Sequence, residues 1–308
     1  MNGYQPEGIF LNGEVAMENG FTLPILERAR EKRKILEAPV LLCDSDMNLH
    51  VSLGSITGII PKEDVVFPIG GEKVKDIAIL TRVGKSVCFH VNAITKQNGK
   101  AIAILSRRSA QKECFFQKIA KLCPGDIVKA KVTHLESFGA FLDIGCGIIS
   151  LLPIDAISVS RISHPGVRLS VGDIISVVVR SVSEDRVYVS RKELLGSWEE
   201  NAALFAAGQT VPGIIRSIES YGIFVELTPN LTGLAELKAG AIVNEGASVY
   251  IKSILPERMK IKLVILDYFK QPLVEKNEDA VRFMPRESHI DYWRYSPLCS
   301  EKIIETYF

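Results

Sequence analysis

Two stretches of this chain place an aromatic, a glycine and a second aromatic at one spacing. They are Ser137-Phe138-Gly139-Ala140-Phe141-Leu142-Asp143-Ile144 and Ser220-Tyr221-Gly222-Ile223-Phe224-Val225-Glu226-Leu227. A ring exposed on a strand stacks an unpaired nucleobase, which contributes ~1–3 kcal/mol per base whatever the base. Phe138, Phe141, Tyr221 and Phe224 are therefore the candidate stacking residues. The cations that would hold phosphates lie nearby. Lys129 and Lys131 alternate with Val128, Ala130 and Val132, so a period of two puts both lysines on the solvent side of one strand. Arg186 begins a later strand and Arg161 lies in a long loop; a guanidinium grips a phosphate bidentately or stacks under a base. Lys260 stands in the third block where Arg186 stands in the second. His164 before Pro165 reads as a loop-structural residue, and His134 carries no special signal.

A separation of three residues in a regular strand puts Phe138 and Phe141 on opposite faces. Gly139, like Gly222, is expected to mark a bulge or sharp coil that brings both rings to one side. The alternative is that Phe141 and Phe224 are core.

The elements that must position these residues follow from a repeat. The two stretches, and the turns Gly125-Asp126 and Gly208-Gln209 before them, recur at an offset of 83 residues, which means repeated domains. Blocks at about 123–192 and 208–268 show Val/Ile-rich runs separated by Gly, Pro and Asn turns. Five short strands in roughly 70 residues is the pattern of an OB-type barrel. A β-sandwich would use similar strands, but helical linkers at Ser109–Leu122 and Leu194–Ala207 favour separate barrels. A worn copy spans 36–109. Sliding it by 91 residues aligns Ser52-Leu53-Gly54 with Asp143-Ile144-Gly145 and Val40-Leu41-Leu42 with Lys131-Val132-Thr133. Met47 and His50 then occupy the aromatic positions, so the stacking pair is missing.

The expected architecture is mainly β, three tandem five-stranded barrels joined by short helices (110–122 and 193–207), the first degenerate. Residues 1–21 read as a loose leader. Pro24 to Leu36 reads as a helix, and its basic run is either a solvated face or an RNA contact. The tail, 269–308, carries Tyr292, Trp293 and Tyr295 around Arg294 and is expected to pack on the last barrel.

Composition removes several classes. The chain has 308 residues, 47% hydrophobic and 24% charged, with a net charge of +1. That balance gives nucleic-acid binding no support, but Lys/Arg exceed Asp/Glu by ten to seven over 118–192, against six to six over 208–267. The middle block should supply most of the charge-dependent affinity. The six cysteines are scattered without a C-x-x-C pair, which fits reduced thiols better than disulfides or a zinc site. There is no signal sequence and no apolar run near ~18 residues, so a cytoplasmic location is expected. No Walker loop, G-x-S-x-G or H-E-x-x-H motif is present, and neither catalysis nor a cofactor or metal is expected.

With these residues laid out, the chain resembles the family of bacterial ribosomal protein S1 over about 36–268. The carrying residues are Pro124-Gly125-Asp126-Ile127-Val128, Ser137-Phe138-Gly139-Ala140-Phe141, Ile157-Ser158-Val159-Ser160-Arg161-Ile162-Ser163-His164-Pro165, Val171-Gly172-Asp173, and Arg186-Val187-Tyr188-Val189-Ser190-Arg191-Lys192. Gly233-Leu234-Ala235-Glu236 adds the turn of the third block. The resemblance implies S1-type OB barrels that hold single-stranded RNA, mRNA included, across one face, and a role in translation at the small ribosomal subunit.

The chain also departs from that pattern. Where the family has a histidine after the Gly-Leu turn, this chain has Pro61, Pro153 and Glu236. The carboxylate before the last-strand arginine falls to Glu184 and Asp185, and in the third block to Glu257 before Lys260. From Gly125 to Gly172 is 47 residues but from Gly208 to Gly246 only 38, so the third block is expected to have lost about nine and to bind more weakly. Two other readings use the same barrels: a protein–protein adaptor, and an RNA-binding regulator of decay.

Overall fold

The computed structural model describes residues 4–9, 20–69, 74–97, 99–183, 186–270, 283 and 288–308. Its strands form three closed five-stranded barrels. The first comprises β1 (Leu36–Cys43), β2 (Leu49–Ser52), β3 (Thr57–Ile60), β4 (Ser86–Gln97) and β5 (Lys100–Ser106). The second comprises β6 (Ile127–Glu136), β7 (Gly139–Asp143), β8 (Ile149–Pro153), β9 (Ile174–Val182) and β10 (Val187–Ser190). The third comprises β11 (Thr210–Glu219), β12 (Gly222–Thr228), β13 (Leu231–Ala235), β14 (Gly246–Leu255) and β15 (Lys260–Phe269). In each, three strands form an antiparallel meander, the fifth pairs in parallel with the third, and the fourth closes onto the first. That is the order of an OB barrel, and closure removes the open edges that a sheet must otherwise protect.

Period-two alternation of β-branched residues fills the interiors. In the second barrel Val128, Ala130 and Val132 meet Leu142, Leu152, Val177, Val179 and Val189, all buried. The third has Ile215, Ile223, Val225, Val249, Ile251 and Leu263 in the same roles.

The helices are shorter than expected or shifted. α1 (Leu23–Glu31) has Pro24 in its first turn and buries Leu26 in the first barrel's core. A short α2 (Asp76–Leu80) precedes β4. The first linker helix, α3 (Arg107–Gln117), starts two residues early because Ser106 caps it by accepting the Ser109 N–H. It breaks at Lys118, and a 3-10 turn follows at Ile119–Lys121. The second linker is α-helical only in α4 (Trp198–Ala202), where Ser197 and Glu200 form a capping box. A 3-10 turn at Lys192–Leu195 and Gly196 precede it.

Pairing corrects two alignments. Val40 lies opposite Val51 and Val132 opposite Leu142, each followed by a bulged residue, Leu41 or Thr133. The first strand therefore matches Val132-Thr133-His134, one residue on from the expected register, because the hairpin of the worn barrel is one residue longer: Val40 to Val51 is 11 positions and Val132 to Leu142 is 10. In the third barrel Asn244 (φ +70°) donates its N–H to Ile215 O, as Gly172 (φ +100°) does to Val132 O. Asn244 rather than Gly246 is the counterpart of Gly172. The shortened loop has lost eleven residues, not nine, since Gly208 to Asn244 is 36 positions against 47.

Buried charges seal the joins between barrels. Residues 4–9, expected to be loose, run between the first and second. The Glu7 carboxylate takes a bidentate grip from Arg107, Nε to Oε1 at 2.7 Å and Nη2 to Oε2 at 2.9 Å, and accepts the Cys88 N–H. Its backbone N–H donates to Asp143 Oδ2 at 2.7 Å. Burial alone would raise the Glu7 carboxyl, but the Arg107 guanidinium overrides it and holds the group below its ordinary value. Between the second and third barrels, Glu226 on β12 accepts from Arg168 (Nη1 to Oε1, 3.0 Å) and from Arg216 (Nε to Oε2, 2.8 Å). Ser160 N–H donates to Pro229 O across the same join.

The tail was expected on the last barrel and touches both of the last two. Ile127 N–H donates to Ser288 O, and His289 Nδ1 lies 2.7 Å from Asp126. Its hairpin, β16 (Tyr292–Arg294) with β17 (Glu305–Tyr307), leads into Tyr295, whose hydroxyl donates to Asn230 O at 2.6 Å.

Removing one member of a buried pair costs about 3–5 kcal/mol, because the other charge stays desolvated. Glu7→Gln should lose stability on that scale in urea unfolding, and a loss within error would refute the role given to this contact. A second expectation concerns pH. Burial, with the Glu7 charge beside it, pushes the Asp143 carboxyl from 3.8 up to about 7. The folded chain then keeps a proton that the unfolded chain has released, so this contribution is present below the lower value and lost as pH rises through the upper one. Asp143→Asn should flatten the fall in stability between these two values, measured by denaturation across pH.

Candidate nucleic-acid interface

The aromatic face of the second barrel begins at a turn. β6 ends at Glu136, Ser137 and Phe138 make the turn, and β7 starts at Gly139. Phe138 is thus off the strand, free of its alternation, and 54% exposed. Its ring meets Phe141 edge-on, centroids 6.0 Å apart. Tyr221, 67% exposed, holds the same place beside Phe224 at 6.1 Å.

Both pairs lie on one side, but not through the expected bulge at glycine. The bulges fall in the preceding strands, at Thr133 and Arg216. Gly139 and Gly222 are needed for close approach: a Cβ there would lie 2.4 Å from Leu152 O and 2.7 Å from Ala235 O. Phe141 and Phe224 are half-buried and outside the barrel cores, so the core alternative does not hold.

Strand register extends the face. His134 lies opposite Phe141, Phe141 opposite Leu151, and Leu151 beside Tyr188. Residues so paired share a face. The His134 ring stacks on Phe141 at 6.3 Å and 23°, held by Glu136 at 2.8 Å. The sequence reading missed His134, Leu151 and Tyr188. The Val187-Tyr188-Val189 alternation signalled an outward Tyr188, but which strand lay beside it depended on the barrel's closure.

The cations are spread around this row. Lys129 is exposed on β6. Lys131, expected beside it as a free phosphate contact, donates to Glu7 O at 2.9 Å and is tied to the barrel join. Arg161 is exposed in the loop after β8, next to Ser160, which bonds Thr232 of the third barrel. Arg186 is exposed just before β10, two residues from Tyr188. Glu184 and Asp185 lie outside the described residues. His164 accepts the Gly166 N–H at 3.0 Å and shapes its loop.

In the third barrel Phe224 lies opposite Ser217 and Leu234, and Leu234 beside Lys262. An exposed lysine, also missed, thus stands where the second barrel has Tyr188. Lys260 begins β15, two residues before Lys262, as Arg186 stands to Tyr188. The first barrel carries Leu42, His50 and Ile59 in the corresponding row, with His50 bound to Asp44 at 3.1 Å. No group of three or more His, Cys, Asp or Glu among the described residues could hold a metal ion. No helix among them is long and apolar enough to cross a membrane.

Comparison with known proteins bears on the same barrel. Residues 121–192 match the family model described as S1 RNA binding domain. The small ribosomal subunit protein bS1 of Leuconostoc lactis is 30% identical over 141 residues, 44% of this chain and 33% of that protein. The bS1 protein of Staphylococcus aureus strain COL is 25% identical over 296 residues, 90% of this chain and 71% of that protein. A crystal structure of a multidomain protein with nucleic acid binding domains from Streptococcus pneumoniae covers 76% of this chain and 73% of its own, at 15% identity and a TM-score of 0.24. With its second barrel matched to the S1 RNA-binding domain and nine-tenths of its length similar to bS1, the chain resembles the bacterial ribosomal protein S1 family.

Proposed function

We propose that this chain is a non-catalytic cytoplasmic protein that binds single-stranded RNA with weak sequence preference. The second barrel is the principal site, the third is auxiliary, and the protein acts in translation at the small ribosomal subunit. The observation that carries the reading is the exposed edge-on pair Phe138–Phe141, continued by His134 and Tyr188 on a domain that matches the S1 RNA-binding model. Rings offered on one barrel face stack successive bases, and the flanking Lys129, Arg161 and Arg186 supply phosphate contacts. Tyr221, Phe224, Lys260 and Lys262 give the third barrel a smaller version of the site. The ribosomal assignment rests on the bS1 relatives, whose name places them on the small subunit.

Fluorescence anisotropy with a short unstructured RNA, across a salt series, tests this reading. Affinity should fall with salt at a logarithmic slope of about −0.7 per neutralised phosphate. Phe138→Ala/Phe141→Ala should weaken binding at least about ten-fold, given ~1–3 kcal/mol per stacked base, and Tyr221→Ala/Phe224→Ala should weaken it less. Absence of binding at low salt would sink the RNA reading and favour an adaptor that docks proteins on the same barrels.

A further inference from the structure

The outward row of the second barrel does not stop at Tyr188. Ile149 lies two residues before Leu151 on β8, and Arg186 two before Tyr188, immediately ahead of β10. Residues two apart on a strand share a face, so this pair continues the row toward α3. There the surface turns inward. A cleft of about 280 Å³ separates the barrel from α3 and the turn after it, with Phe115, Ile119 and Ala120 on one wall and Ile149, Val182 and Arg186 on the other. Ile149 is 41% exposed and Val182 37%. Phe115 is braced edge-on by Phe116 at 5.3 Å and by a tilted Phe67 of the first barrel at 5.9 Å.

We infer that this cleft is a further RNA subsite: it holds an unstacked base of the strand that crosses the aromatic face, with Arg186 at its rim on the adjoining phosphate. The inference rests on the RNA reading of that face. Three features select a nucleotide. The cleft continues a row of rings, it offers a braced aromatic against apolar side walls, and among the described residues the charged group in its lining is the Arg186 guanidinium. Its volume is just under the ~300 Å³ at which pockets for larger ligands begin, which suits one base. The first barrel has no stacking pair of its own, yet it supplies Ile69 to the lining and Phe67 to the brace. Its part in binding is to wall the neighbour's site.

Ala120 is exposed, so it can be enlarged without disturbing a core. The test compares Ala120→Leu, Ala120→Glu, Phe141→Ala and the full native chain, using RNAs of about four and about eight nucleotides, within the range one OB barrel covers. The native protein should bind the longer RNA about ten-fold more tightly. Both Ala120 variants should lose that gain and leave the shorter RNA unaffected, the leucine showing that occupancy rather than charge is responsible. Phe141→Ala should weaken both RNAs. A length gain that survives both Ala120 variants, or a native protein with no gain, overturns the cleft while Phe141-dependent binding stands. A native protein that binds neither RNA overturns both the cleft and the RNA reading.

Discussion

The arrangement of this molecule depends on carboxylates that have no water to turn to. Glu7 at the first join and Glu226 at the second are buried, and each is held by guanidiniums at hydrogen-bond distance. A desolvated charge is tolerated only with its partners in place, so such a contact favours one seating of the neighbouring barrels over sliding alternatives. The partners come from different parts of the chain. Arg107 starts the helix that leaves the first barrel and Glu7 comes from the segment before it, while Arg168 of the second barrel reaches Glu226 of the third. Backbone bonds follow from that seating, among them Cys146 N–H to Gln5 O and Ser160 N–H to Pro229 O.

Within each barrel, close approach of strands does comparable work. A bulge one strand earlier and a glycine where two strands nearly touch deliver a ring on a turn and a second ring on the adjoining strand to the same surface. The second and third barrels share this device, with Ser137-Phe138 and Ser220-Tyr221 as their turns. They differ in what lies beside the pair: His134, Leu151 and Tyr188 in one, Ser217, Leu234 and Lys262 in the other. The second face is richer in rings and the third relies more on charge.

The first barrel has kept the strand order while losing the rings. Its row of Leu42, His50 and Ile59 offers no stacking pair, and Asp44 occupies the one imidazole. What it retains is structural leverage on the second barrel, through α3, whose Ala110 and Cys114 join the second barrel's core, and through the buried Arg107. A worn domain is maintained in this way when its neighbour's fold and surface are built partly from it.

The sequence by itself determined the repeat, the barrel class and the recurring aromatic pair, because these depend on local patterns. Alternation of Val and Ile, an offset of 83 residues and the aromatic-glycine-x-aromatic spacing are legible without coordinates. Whether two residues three apart share a face was not legible, since the answer lay in a turn and in bulges at Thr133 and Arg216 that no glycine announces. The role of Lys131 was equally hidden: period two put it outside, and only the passage of residues 4–9 across the barrel decided that its ammonium would meet the Glu7 carbonyl. Tyr188 and Lys262 became neighbours of Leu151 and Leu234 through parallel pairing between distant strands. Local composition sets which surfaces each element presents, whereas closure and buried charge pairing set which of those surfaces meet, and these are properties of the folded chain as a whole.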